Sequence, residues 1–294
     1  MSGAAGTTVY LDGAYKPRAK ATIDVEDRGF LFGDGVYEVV RYYRGKPFAM
    51  AAHVERMRAS LKAVRIQLDW TAHDLARISD ELVQRNKLSD AQVYWQVTRG
   101  AAPRMHGFPP AGTAPTVLAL CYPEPPLDIA ARIRSMKALT RPDLRWGRCS
   151  IKSINLLPNL LDTQAALDAG ADLAILVRGR TVTECPSRSL FVVERGTLLT
   201  HPLDGTILDS ITRRVLIELA AADHLGVREE RFDRRKLASA EEVLVCGTTT
   251  EIASVVEIDR RKVGYGEPGP VARKLMRAFV ARVWRECGFT TAQA

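Results

Sequence analysis

Two tight turns shape the start of this chain. Asp12-Gly13 stands between the strand-forming residues 8–11 and Ala14-Tyr15, and Asp-Gly in that setting signals a two-residue hairpin. Arg44-Gly45 ends the β-branched and aromatic run 36–43 and predicts a second hairpin. Antiparallel pairs of this kind exclude an all-helical fold, yet helical spacing follows at once. Val54, Met57, Leu61 and Val64 recur three or four residues apart along a helix from His53 to Ala63, and residues 72–85 read as another. Residues 93–98 and 116–122 read as strands. Pro123-Glu124-Pro125-Pro126 then interrupts the pattern as a stiff connector.

Beyond the prolines come a strand at 133–139, a helix at 156–169 closed by Gly170, and strands at 173–177 and 189–193. Arg195-Gly196 turns into 197–200, residues 211–222 look helical, and the apolar strand 242–246 ends in Gly247-Thr248-Thr249-Thr250. A strand at 255–258 and a helix at 270–287 close the chain. The mixture predicts an α+β fold and not a regular βαβ array. At roughly 150 residues per domain, 294 residues predict two domains: 1–122, a linker at 123–131, and 132–294.

Composition narrows the function. Hydrophobic residues make up 46% and charged residues 26%, ordinary for a soluble protein. No apolar run is long enough for a bilayer, and residues 1–6 carry no leader pattern, so no membrane partner and a cytoplasmic location are expected. Five scattered cysteines without a C-x-x-C pair argue against a disulfide framework and a zinc knuckle, and the five histidines show no metal spacing, so no metal is expected. The net charge is +8, but acids and bases interleave without like-charge blocks. That pattern predicts no nucleic-acid partner and a surface that attracts anionic substrates.

Ten of the 42 basic residues are lysines. Lys152 differs from most of them because it enters an apolar segment, Ile151-Lys152-Ser153-Ile154-Asn155-Leu156-Leu157. An amine that loses hydration becomes a better nucleophile, as Schiff-base lysines require. Read alone, the same position also suits a lysine snorkelling at a helix start.

Several motifs in order resolve that choice. Arg148-Cys149-Ser150-Ile151-Lys152-Ser153-Ile154-Asn155-Leu156-Leu157 resembles the lysine segment of class IV (fold-type IV) pyridoxal-phosphate-dependent aminotransferases. Thr181-Val182-Thr183-Glu184 resembles the family's second motif. Residues 33–40, and Val97-Thr98-Arg99-Gly100 followed by Pro103-Arg104-Met105-His106, resemble the D-amino-acid aminotransferase branch. The resemblance runs from about Val9 to the last helix. It implies a smaller N-terminal α/β sandwich-like domain, a larger C-terminal pseudo-barrel domain, and a site at their interface.

The resemblance also implies roles. Lys152 would carry pyridoxal 5'-phosphate as a Schiff base and act as general base. Glu184 would keep the pyridine nitrogen protonated; without the lysine it reads as a solvent-facing strand glutamate. Arg56, Ile211, Thr212, Gly247 and Thr248 would hold the phosphate, the loop 208–213 offering the free N–H groups of a helix start. An N-cap at Ser210 or Thr212 and a plain turn at 247–250 are the rival readings. Leu208 would pack on the cofactor ring. Tyr37, Arg104 and His106 would trap the substrate α-carboxylate and so select the D-enantiomer. Arg104 and His106 lie in a loop, 101–112, that the family supplies from the neighbouring subunit, so a homodimer is implied. Arg145 resembles an arginine of the active-site hydrogen-bond network, and Ser187 a substrate contact.

The segment Glu184-Cys185-Pro186-Ser187-Arg188-Ser189-Leu190 departs from the family, which commonly shows small residues and an asparagine there. Gly247 stands where serine is frequent. These departures bear on the side-chain pocket: Arg188 either faces solvent or favours acidic D-amino acids. The expected activity is transamination between a D-amino acid and a 2-oxo acid of the D-alanine/D-glutamate type. Same-fold alternatives are an aminodeoxychorismate lyase, an (R)-amine transaminase and a branched-chain aminotransferase; a non-catalytic basic binding protein is the remote one.

Overall fold

The computed structural model describes residues 6–128 and 130–289, without the His73 side chain. The leader reading therefore lies almost wholly outside the described residues. The chain forms two compact units, one of residues 1–127, 151–155 and 286–288, the other of 128–150, 156–285 and 289–294.

The first unit is an antiparallel sheet with two helices on one face. Its elements are β1 (Thr8–Leu11), β2 (Ala14–Pro17), α1 (Arg28–Phe32), β3 (Gly35–Tyr43), β4 (Lys46–Pro47), α2 (Met50–Ala63), α3 (Ala72–Arg85), β5 (Ala91–Thr98) and β6 (Val117–Pro123). The strand order is β2-β1-β6-β5-β3-β4. Asp12 and Gly13 both take positive φ, 47° and 87°, as the expected hairpin turn requires. α3 starts where the sequence says because Thr71 and Asp74 form a reciprocal capping box. Val36, Val40, Val93, Trp95, Val97 and Ala119 on alternate strand positions meet Val54, Met57, Leu61, Leu75, Ile78 and Leu82 of the helices in one core. Residues 151–155 join this unit by lying along β3: Tyr37 N–H donates to the Lys152 carbonyl at 2.9 Å, and Ile154 N–H to that of Gly35 at 3.1 Å.

The second unit is built on a ten-stranded mixed sheet. It comprises β7 (Arg134–Pro142), α4 (Leu157–Asp168), β8 (Leu173–Arg178), β9 (Thr181–Val182), β10 (Ser189–Glu194), β11 (Thr197–Thr200), α5 (Ile211–Ala222), β12 (Val227–Glu229), β13 (Phe232–Asp233), α6 (Arg234–Ala238), β14 (Glu242–Gly247), β15 (Glu251–Ile258), β16 (Arg261–Lys262) and α7 (Pro270–Glu286). The order is β12-β11-β10-β14-β15-β7-β8-β9-β13, with β16 on β15. The fold class is α+β as expected, but β7 runs parallel to β8 and to β15, with α4 as the β7–β8 crossover. Leu190, Val192, Val243, Val245, Ala253 and Val255 fill one core. Glu242 accepts from the Val271 and Ala272 N–H groups at 2.8 and 2.9 Å and so anchors the start of α7.

Candidate active site

In the first unit the predicted residues gather around β3 and α2. Lys152 is half-buried, and its Nζ lies 4.0 Å from the centroid of the Tyr37 ring, which itself stacks on Tyr94. Among the described residues Lys152 forms no ion pair. One residue further along β3, Glu38 points the other way and is buried at 2% exposure. It accepts from Arg56 Nε at 2.8 Å and Nη2 at 2.5 Å, and it meets His53 Nδ1 at 3.0 Å. His53 and Arg56 are three apart on α2, hence on one face. Burial alone would raise the Glu38 carboxyl, but Arg56 and His53 outweigh it and hold Glu38 well below the carboxylate range. Burial lowers His53 against the pull of Glu38, so the ring is neutral at pH 7 and Nδ1 carries the proton. Arg56 is thus buried on Glu38.

Arg104 and His106 sit on the exposed loop after β5, and no bond or ring contact joins them to Tyr37 or Lys152. One residue organises both. The Arg104 guanidinium lies 5.1 Å from the Phe32 ring centroid, and the His106 ring 5.9 Å from it. The loop is tied down by Arg28 Nη1, which donates to the Met105 carbonyl at 2.8 Å, and by Phe108 beneath Arg99 at 3.7 Å. Asp34 bridges Arg28 and Arg99 with bonds of 2.8 to 2.9 Å. Gly33-Asp34-Gly35 is therefore a helix stop and an arginine bridge: Gly33 ends α1 at φ 67°. A cleft of about 410 Å³ opens beside α1, lined by Asp27, Phe30, Gln96, Thr98 and Ile154 among others, and by none of the predicted site residues.

In the second unit Glu184 is buried at 4% exposure. Its Oε1 accepts from Arg145 Nη1 at 2.6 Å and from the Leu208 N–H at 3.1 Å. Arg145 is buried too, bound on its other edge by Asp143 through two bonds of 3.0 Å. Asp143 also accepts from Thr183 Oγ1 at 2.9 Å and pairs with Arg178 at 3.1 Å. Burial pushes the Glu184 carboxyl up to about 7, with Arg145 and the Leu208 N–H opposing it. Arg145 remains charged because Asp143 and Glu184 overcome its burial. Sequence reasoning missed Asp143, Thr183 and Arg178; the parallel pairing of Pro142 with Val177 brings them together, and no local signal announces it.

Four of the proposed phosphate residues lie at two adjoining element ends, the start of α5 and the end of β14. Ser210 is the N-cap of α5, accepting from Arg213 N–H, and Ile211 and Thr212 are the buried first residues of the helix. Their N–H groups have no partner within the helix, which makes this end receptive to an anion. α5 packs on β14, whose last residue is Gly247 with Thr248 following. A Cβ at Gly247 would stand 3.4 Å from the Ser187 carbonyl oxygen, so the 185–188 turn abuts this loop. Ser189 Oγ, opposite Cys246 on β14, is buried without a hydrogen-bond partner.

Each unit holds groups that fit a part of the expected cofactor: the first an amine outside any ion pair, the second a buried carboxylate with oriented lone pairs, a helix start with open N–H groups and a buried hydroxyl without a partner. No described helix is long and apolar enough to cross a membrane, and no described cluster of His, Cys, Asp or Glu is placed to hold a metal.

The family model for amino-transferase class IV matches residues 35–258, and the chain belongs to that family. It is a pyridoxal-phosphate-dependent transaminase acting on amino acids and 2-oxo acids. The chain is 38% identical over 275 residues to the D-alanine aminotransferase of Staphylococcus haemolyticus, covering 93% of this chain and 96% of that one. It is 40% identical over 272 residues to the D-alanine aminotransferase of Listeria innocua, covering 92% and 94%. Among solved structures it superimposes on the T.th. branched-chain amino acid aminotransferase with pyridoxamine 5'-phosphate, with TM-score 0.87, 25% identity and coverage of 98% and 96%. The branched-chain amino acid aminotransferase from Escherichia coli gives TM-score 0.84 and 26% identity over 93% of each chain.

Proposed function

We propose that this transaminase exchanges the amino group between D-amino acids and 2-oxo acids, D-alanine and D-glutamate being the type substrates. The observation that carries this reading is the loop with Arg104 and His106, held in place by Phe32, Arg28 and Phe108. A fixed guanidinium grips an α-carboxylate through two bonds, and a simple amine offers it nothing to grip. The relatives named above point the same way, since D-alanine aminotransferases match at 38% and 40% where the branched-chain structures match at 25% and 26%.

In this reading Lys152 Nζ is the point of covalent attachment and, when released, the base that takes the substrate Cα proton. Bound pyridoxal phosphate supplies an electron sink for the pair left on Cα. Tyr37 orients Lys152 and joins Arg104 and His106 in holding the substrate carboxylate. Glu184, fixed by Arg145 and the Leu208 N–H, would keep the ring nitrogen of the bound cofactor protonated, and Leu208 would pack on the ring. Ile211, Thr212, Gly247 and Thr248 hold the phosphate. Arg56 adds positive charge there while anchored by Glu38, and Ser187 contacts the substrate. In this reading the loop 101–112, with Arg104 and His106, serves the partner of a homodimer, as the resemblance to the family implies. The exposed Leu157, Leu160 and Leu161 of α4 suit such an assembly. Five buried free cysteines suit the reducing cytoplasm.

Single-turnover spectroscopy of the yellow enzyme tests this. Mixing with D-alanine should bleach the visible band, and L-alanine should leave it. Bleaching by the L-form alone would overturn the assignment.

A further inference from the structure

Arg188 is the feature that the proposed mechanism leaves unused. It closes a turn in which Cys185 N–H donates to the Arg188 carbonyl at 2.9 Å, and Asn159 Nδ2 pins the same turn through the Pro186 carbonyl at 2.5 Å. The side chain runs along Gly247, its Cγ lying 3.8 Å from where a Cβ there would stand. Nε donates to Thr250 Oγ1 at 2.7 Å and Nη1 to Ser187 Oγ at 3.3 Å. All its recorded partners are neutral hydroxyls, and no carboxylate among the described residues lies within ion-pair reach. The nearby cation Arg134 is occupied by the Thr250 carbonyl. Burial lowers the Arg188 guanidinium below its ordinary value; Arg134 adds to the effect, and Cys185 and Asp172 oppose it without restoring that value.

A rigid, part-buried guanidinium without a counter-ion is costly unless an anion arrives to pair with it. Here Nε faces Thr250, which leaves the Nη1–Nη2 end for a planar, bidentate acceptor. The neighbours on either side, Ser187 and Gly247-Thr248, are residues already assigned to substrate and phosphate. The phosphate has its own donors at the start of α5 and at Thr248.

We propose that Arg188 grips the second carboxylate of a dicarboxylic substrate, so that acidic D-amino acids and 2-oxo diacids are preferred partners; this rests on the D-amino-acid transaminase reading. A carboxylate two or three bonds beyond Cα matches the chemistry, and a methyl group in the same place would leave the guanidinium unpaired.

The test compares the holoenzyme with Arg188→Gln and Arg188→Lys. In the glutamine variant the ratio of kcat/KM for D-glutamate to that for D-alanine should fall by at least about tenfold, mainly through the KM for D-glutamate, and lysine should restore part of it. A readout without turnover accompanies this: titration of the cofactor band with glutarate and with butyrate. Wild type should bind glutarate more tightly, and Arg188→Gln should lose that preference. Equal affinities in wild type, or ratios unchanged in the variant, would refute the proposal. So would weaker cofactor binding with an unchanged ratio, which would assign Arg188 to the phosphate. If wild type turned over no D-amino acid, the function reading would fail by itself, while the glutarate and butyrate titration would still decide the role of Arg188.

Discussion

Glu184 should make the cofactor-free protein lose stability as the pH rises from about 4.5 to about 7, the reverse of what a salt-bridged carboxylate does. The sign follows from the proton. Burial favours the neutral carboxyl, so the folded state binds its proton more tightly than the unfolded chain does. The contribution is fully present below the unfolded value of 4.5 and is lost as the pH climbs through about 7. At about 1.4 kcal/mol per pH unit, that interval amounts to on the order of 3 kcal/mol. Glu184→Gln removes the titration, and its amide oxygen can still accept from Arg145 and Leu208, whose bonds are 2.6 and 3.1 Å. The assay is urea unfolding of apoprotein and variant at several pH values between about 5 and about 8. The variant should gain on wild type across that range by on the order of 3 kcal/mol. Added pyridoxal phosphate should abolish the slope, because a ring cation supplies the charge that the ionised carboxylate lacks. A difference that stays flat, or that turns against the variant as pH rises, refutes the reasoning.

Four further outcomes follow from the same geometry. Lys152→Ala should reduce transamination by about 10⁴-fold, and borohydride reduction with peptide mapping should label Lys152 in wild type and nothing in the variant. Glu38→Gln leaves the Arg56 cation buried without the carboxylate that balances it, so urea unfolding should show a loss of about 3–5 kcal/mol, and a loss under about 1 kcal/mol would contradict the buried pair. Glu38 also titrates in the ordinary sense: its folded value is depressed, so its stabilisation is present above the unfolded value of 4.5 and is lost as pH falls below it. Arg104→Ala should lower kcat/KM for D-alanine by about 100-fold with the cofactor spectrum unchanged, and Phe32→Ala should raise KM by loosening the loop; unchanged KM values in both would detach that loop from the substrate.

What was legible in the sequence was local. The hairpin at Asp12-Gly13, α3 behind the Thr71–Asp74 capping box and α5 behind Ser210 fall where turn and cap residues put them. α1 escaped because five residues are too few for a periodic signal, although its Asp27 cap and Gly33 stop are ordinary ones. The parallel pairs of β7 and β11 escaped because pairing between strands dozens of residues apart leaves no trace in either strand alone. The site divides in the same way. Lys152 and Glu184 stand in recognisable motifs; Glu38 was missed, although a lone carboxylate inside the apolar run Val36–Val40 is a signal that could have found it. Arg145 and Arg188 read equally well as surface arginines. Their distant partners, Glu184 for Arg145 and Thr250 for Arg188, are brought within reach only by the folded chain.

The charges around Glu184 explain why a carboxyl can stay buried there without being locked in one state. Asp143 spends both oxygens on Arg145 and also meets Arg178, so the two arginines face two acids, Asp143 and Glu184. With Glu184 ionised the four groups sum to zero; with it protonated they carry one positive charge. Burial is what lifts the carboxyl to about 7 against Arg145, and Asp143 adds to the lift. Asp143 therefore acts on Glu184 at one remove: by sharing Arg145 it weakens the grip of that arginine on the carboxylate, which suits the role proposed for Glu184 beside a ring cation. A glutamate paired to one arginine alone would be the more stable structure and the poorer partner for a protonated pyridine.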